Sequence, residues 1–175
     1  MLANAVPVSR EAAPVGPVAS GGQAVKVETA VPRPATKPVT ASQVQPLWVF
    51  KCEDEIRSKA AVTETRILVS VYDNNLYAIN KEDGEFVWKY PTADGVGASP
   101  CVYEDIVFIG SSDTIMYALD LRNGRKIWHF ETNGSVYSSP TARFEHVFFG
   151  SDDGHLYALN VKHGRSAWKA NAFSA

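Results

Sequence analysis

Trp48, Trp88, Trp128 and Trp168 are the only tryptophans in the 175-residue chain, and they stand forty residues apart each time. A fixed long period is the mark of a repeat architecture, in which each copy buries its apolar face against its neighbours. Other columns fall into the same register without insertions. Asp73, Asp113 and Asp153 share one; Tyr77-Ala78, Tyr117-Ala118 and Tyr157-Ala158 share two more; Gly84, Gly124 and Gly164 share another. The units run over 48–87, 88–127 and 128–167. Ser99-Pro100 matches Ser139-Pro140, and Gly110-Ser111 matches Gly150-Ser151. The first copy departs, with Lys59-Ala60 and Ser70-Val71, and reads as an atypical or capping unit.

The local chemistry within a unit is that of β-structure. Ile106-Val107-Phe108-Ile109 and Val147-Phe148-Phe149 are β-branched and aromatic runs bounded by Gly, Ser and Asp. Ser151-Asp152-Asp153-Gly154 predicts a tight hairpin, because Gly supplies positive φ and Asp bonds to its own backbone. Asp83-Gly84 and Asn123-Gly124 mark a second turn. The expected inner strands lie near 97–103 and 137–142, the second near 106–110 and 146–150, and the third near 115–120 and 155–160. The outer strand carries the Trp. No stretch sustains a helical period. Four short antiparallel strands per forty residues describe one blade of a β-propeller, so the expected class is all-β, with about three blades plus an outer strand around Trp48.

The pattern Ala-x-Asp-x-x-x-Gly-x-x-x-Trp resembles the tryptophan-docking motif of PQQ-like (quinoprotein-type) repeats. Ala118, Asp120, Gly124 and Trp128 match it fully, while Ala78, Gly84, Trp88 and Ala158, Gly164, Trp168 match with Asn80 and Asn160 in place of Asp. SSPTARFEHVFFGSDDGHLYALN is similar to the repeats of bacterial outer-membrane assembly lipoprotein propellers. The resemblance covers about residues 46–170 and implies that each Trp packs between neighbouring blades. A large aromatic ring buries roughly 150–250 Å² and would fix blade spacing.

Residues 1–45 differ from 46–175. They hold no aromatic residue, and seven of the ten prolines fall at or before Pro46. Such a segment buries too little apolar surface to offset its ordering entropy, so it is expected to be a disordered tail. Val25–Val31 alternates weakly, a faint strand signal. The repeat region has 13 basic and 17 acidic residues, and no basic patch with interleaved aromatics points to nucleic acid. No run approaches eighteen apolar residues, so no membrane span is expected. The N-terminus lacks a secretory pattern and a lipobox. Taken as complete, the chain reads as cytoplasmic; the resemblance implies a periplasmic setting.

No catalytic set stands out, and a non-enzymatic chain without cofactor or metal is expected. The resembled PQQ-dependent dehydrogenases hold their quinone on the axis of a complete ring with a calcium ion, an Asp base and often adjacent cysteines. Here Cys52 and Cys101 are far apart in sequence and are expected to be free thiols. His129, His146, His155 and His163 have no metal-ligand spacing and read as solvated polar residues. Propeller connectivity puts Glu53, Asp54, Glu55, Asp73, Asp94, Asp113, Glu131, Asp152 and Asp153 on one face, and Arg66, Lys81, Arg122, Arg125, Lys126, Lys162 and Arg165 on the opposite rim. The repeating Asp73, Asp113 and Asp153 are expected to form turns. The non-repeating Glu53-Asp54-Glu55 is the candidate surface for a basic partner.

Propellers close with about four to eight blades. Three leave apolar blade faces that a second copy, another protein or further repeats would cover. The expected function is therefore a protein-interaction scaffold or accessory subunit. The alternatives are a fragment or diverged relative of a PQQ-dependent dehydrogenase, and a ligand-sensing propeller module.

Overall fold

The computed structural model describes residues 45–171, which form twelve strands in three four-stranded antiparallel sheets. The first sheet contains β1 (Ala61–Val62), β2 (Arg66–Val71), β3 (Asn75–Asn80) and β4 (Phe86–Pro91). The second contains β5 (Cys101–Tyr103), β6 (Ile106–Gly110), β7 (Ile115–Asp120) and β8 (Lys126–Glu131). The third contains β9 (Thr141–Arg143), β10 (His146–Gly150), β11 (His155–Asn160) and β12 (Ser166–Asn171). Within each sheet the strands lie in chain order, the meander of a propeller blade. The expected tail, with Val25–Val31, lies outside the described residues except for its last position.

The hairpins follow from their turn residues. Asn74, Thr114 and Gly154 hold φ of 66°, 72° and 82° between the second and third strands of their blades. Asn and Gly tolerate that left-handed region, whereas the β-branched Thr114 is strained there. Between the third and outer strands, Gly84, Gly124 and Gly164 take φ of 75°, 70° and 64°, and each N–H donates to the carbonyl four residues back.

Each interface between blades has its own core. Leu68, Leu76, Trp88, Val107 and Ile109 are buried between the first and second blades, and Phe108, Met116, Trp128, Val147 and Phe149 between the second and third. Burial of this apolar area, worth about 25 cal/mol per Å², holds one blade on the next, as in other stacked-repeat proteins.

Two expected elements are corrected. The inner strands are only three residues long, at 101–103 and 141–143, and the Ser-Pro segments before them are outside the ladder. Pro100 and Pro140 carry no N–H to donate, and the N–H of Ser99 bonds sideways to Ser139 Oγ at 3.0 Å. The segment around Trp48 is not a strand. It sits where an outer strand would sit against the next blade, yet no described strand pairs with it.

Candidate functional site

The repeating motif residues assemble the joints between blades. Leu68, Ala78 and Trp88 stand abreast on β2, β3 and β4; Phe108, Ala118 and Trp128 do so in the second blade, and Phe148, Ala158 and Trp168 in the third. The small Ala in the middle leaves room for the outer indole to lie back over the sheet, and the Phe108 and Trp128 ring centroids are 5.7 Å apart. The other side of the indole meets the next blade. Nε1 of Trp48, Trp88 and Trp128 donates to the carbonyls of Lys81, Leu121 and Val161 at 3.1, 3.1 and 2.8 Å. The ring lies on the turn glycine: a Cβ on Gly84, Gly124 or Gly164 would approach an indole carbon within 2.5, 2.6 or 2.7 Å. Glycine is thus required twice, for the positive φ and for the close approach.

Asp120 Oδ1 accepts the N–H groups of Arg122 and Asn123, and Asn80 and Asn160 accept those of Glu82 and Lys162 through the same oxygen. Asn replaces Asp in this column because only an acceptor oxygen is needed.

Trp168 differs from the other three. It packs on Phe148 with centroids 6.0 Å apart, but it is 46% exposed, against 7% for Trp88 and 9% for Trp128. Among the described residues it has no glycine socket, and all six residues of β12 are exposed.

Asp73, Asp113 and Asp153 form the expected turns: Oδ1 of each accepts the N–H two residues on, from Asn75, Ile115 and His155. A second role was not legible in the sequence. Oδ2 takes the hydroxyls of Tyr77, Tyr117 and Tyr157 at 2.5, 2.7 and 2.6 Å. In two cases it also takes an N–H from the preceding loop, Ala93 to Asp113 and Asn133 to Asp153. The Asp–Tyr pair therefore latches adjacent blades. The joint Asp and Tyr columns, four residues apart on one side of a strand, were the available signal.

Burial alone would raise the Asp153 carboxyl, but hydrogen bonds from Tyr157, the Asn133 N–H and His155 outweigh it and hold the pKa at about 2. Burial, then the bond to Asp153, pushes Tyr157 up to about 12, and Tyr77 and Tyr117 shift upward for the same reasons. His155 joins this group, with Nδ1 3.2 Å from Asp153 Oδ1 and its ring against Tyr157. It is not the solvated residue expected, because the short β10–β11 hairpin folds it back onto the carboxylate. His146 Nδ1 lies 2.7 Å from Phe144 O and His129 Nε2 3.7 Å from Glu131; the described residues around these side chains form no metal-ligating cluster.

Burial raises the thiols of both Cys52 and Cys101, and the two are unpaired in separate parts of the repeat array. The adjacent pair that the resemblance associates with a quinone is not available in this sequence.

The predicted acidic face exists as a set of interlocked loops. The Ser112 N–H donates to Gly95 O, the Asp152 N–H to Ser135 O, and the Tyr72 N–H to Glu55 O. These bonds bring the 53–57, 92–97 and 132–137 segments to the same end as the second hairpins. Glu53, Asp54 and Glu55 are exposed there. Glu53 lies 3.8 Å from Lys89 Nζ, Asp54 Oδ1 accepts the Glu55 N–H, and Glu55 pairs with Arg57 at 2.6 Å. Exposed pairs of this kind contribute little to stability. On the opposite rim Arg122 pairs with Asp105 at 2.6 Å. Among the described residues no helix is long and apolar enough to cross a membrane.

Residues 38–175 match the family model described as outer membrane protein assembly factor BamB. No curated protein sequence matches the chain. Among solved structures, BamB from Moraxella catarrhalis superposes with a TM-score of 0.63 at 21% identity, covering 70% of this chain and 38% of that one. Quinohemoprotein alcohol dehydrogenase ADHIIG from Pseudomonas putida HK5 gives 0.63 at 18%, covering 70% and 21%. A europium-containing methanol dehydrogenase gives 0.64 at 18%, covering 71% and 26%. At these identities the likeness is one of fold, and the chain spans well under half the length of each.

Proposed function

The chain belongs to the PQQ-like repeat family whose model is described as outer membrane protein assembly factor BamB, and we propose that it works as a non-enzymatic protein-interaction module, a scaffold or accessory subunit of a larger assembly. The observation that carries this reading is the outer face of the third blade. Trp168 occupies the same motif position as Trp88 and Trp128, yet stands 46% exposed beside Phe148 and the exposed Leu156. A large aromatic presented on a flat blade is the anchor type that protein interfaces favour, and the three internal joints define what fits it: a surface with a glycine turn and a free carbonyl, as another blade of this kind offers. A second copy, another blade-bearing protein or further repeats of the same polypeptide would supply it. The process is read from the family, as assembly of outer membrane proteins. Likeness to the dehydrogenases is equal in fold, and fold alone does not carry their chemistry over to this chain, since function lies in sites and not in folds.

The test is the mass of the particle in solution. The reading expects a species larger than the 19.1 kDa chain, shifted toward the single chain by Trp168→Lys. A monodisperse single chain whose Trp168 fluorescence is fully open to quenchers at all concentrations would refute it.

A further inference from the structure

Most glycines at the blade joints and loops are demanded by the fold. A Cβ on Gly84, Gly110 or Gly124 would collide with Trp48, Val136 or Trp88, respectively, within 2.6 Å. Gly95 and Gly97, on the loop face, are not. Neither has positive φ, and a Cβ at either would meet its nearest neighbour at an ordinary 3.6 Å. Their columns hold larger side chains in the other copies: Glu55 and Ser135 for Gly95, Arg57 and Tyr137 for Gly97. The two glycines therefore break the repeat where packing does not ask for it.

What the break creates is a cleft of about 290 Å³. Its walls are Tyr72 and Tyr137, 45% and 55% exposed; Gly95, Gly97 and Ser112 line it between them, and Asp94 supplies a carboxylate. The Gly95 N–H holds Asp94 Oδ1 at 2.7 Å, and Ser112 Oγ is turned inward to Gly95 O at 3.0 Å. The Tyr72 ring already receives a guanidinium, that of Arg57, 5.0 Å from its centroid. Glu55 neutralises that arginine at 2.6 Å, so Asp94 leaves the cleft net acidic, within a loop face that also carries Glu53 and Asp54.

The geometry points to a binding site for an arginine side chain presented by a partner protein, entering the space that Gly97 vacates. Tyrosine faces attract a cation within about 6 Å. A planar guanidinium stacks on them while its N–H fork reaches a carboxylate, which an ammonium does less well. The inference rests on the interaction-module reading and adds a second, chemically distinct contact on the loop face.

The test titrates the isotopically labelled full chain with acetyl-Gly-Arg-Gly-amide and with the citrulline peptide of the same shape but no charge. The arginine peptide is expected to shift the amides of Gly95, Gly97 and Ser112, and to bind at least about fivefold tighter than the citrulline peptide, with the advantage fading in salt. Gly97→Tyr, which restores the column residue, is expected to abolish these shifts with an unchanged thermal midpoint. Asp94→Asn is expected to erase the preference for arginine, and it stands as the second variant if Gly97→Tyr fails to fold. Equal binding of both peptides, no shift at these amides, or wild-type affinity in the variants would overturn the site. Such a failure in a chain that still associates through Trp168 would leave the interaction-module reading intact; loss of that association with peptide binding preserved would do the reverse.

Discussion

Trp128 and Trp168 occupy the same column of the same motif, each abreast of an Ala and a Phe in its own blade, yet they meet opposite environments. Trp128 is buried, donates to Val161 O at 2.8 Å and lies on Gly164. Trp168 is half exposed on a strand whose every residue faces solvent. A docking motif is thus one half of a joint. What it contributes depends on the glycine and the carbonyl of the blade that receives it.

The largest expected effect separates these two residues. Trp128→Ala should cost about 3–5 kcal/mol in urea unfolding, as for a buried aromatic, whereas Trp168→Ala in the isolated chain should cost under about 1 kcal/mol. Equal costs would mean that Trp168 is covered in solution. Next comes the receiving side. Gly124→Ala imposes both a left-handed φ of 70° on a side chain and a Cβ 2.6 Å from Trp88, and should destabilise by about 2–4 kcal/mol. Gly97→Ala, with neither constraint, should stay within about 0.5 kcal/mol.

The latch between the second and third blades gives a pH test. The Asp153 pKa of about 2 lies below its unfolded value near 3.8, so its contribution is present above about pH 4 and is lost as pH falls toward 2. Asp153→Asn should flatten that limb of the stability profile and cost about 1–2 kcal/mol near neutrality. An unchanged acid limb would show that the latch adds nothing. At the alkaline end, Tyr157, raised to about 12, contributes stability that is complete below pH 10 and lost as pH climbs through 12. One small effect is a gain. Thr114 holds φ of 72° where the other two blades have Asn74 and Gly154, so Thr114→Asn should stabilise by about 0.5–1 kcal/mol in the same unfolding assay.

Much of the fold was legible in the chain. The forty-residue period placed every Trp, Gly and Asp column, and the second and third strands of the second and third blades fall where the β-branched runs predict. The inner strands begin later than the expected 97 and 137, because the residues just ahead of Cys101 and Thr141 read the same in sequence whether they pack in a ladder or in a loop. Val96 and Val136 are buried without belonging to a strand. The loops that carry the acidic residues gather at one end, but the Asp73, Asp113 and Asp153 carboxylates turn in to their tyrosines. The Tyr72–Gly97–Tyr137 cleft was missed because its residues come from three connections, and a glycine in a loop carries no signal of what its absent side chain leaves open.

The sequence by itself determined the period, the blade and the residues of each joint, since these depend on local strand chemistry and on columns that must recur wherever one blade packs on the next. Only the tertiary structure decided how those columns are used. It showed Asp153 as a latch between blades, His155 as part of that latch, Trp168 as a half-joint, and Gly95 and Gly97 as vacancies. Each of these depends on which atoms the neighbouring blade brings within a few ångströms, and identical residues at identical positions in the repeat do not share the same neighbours.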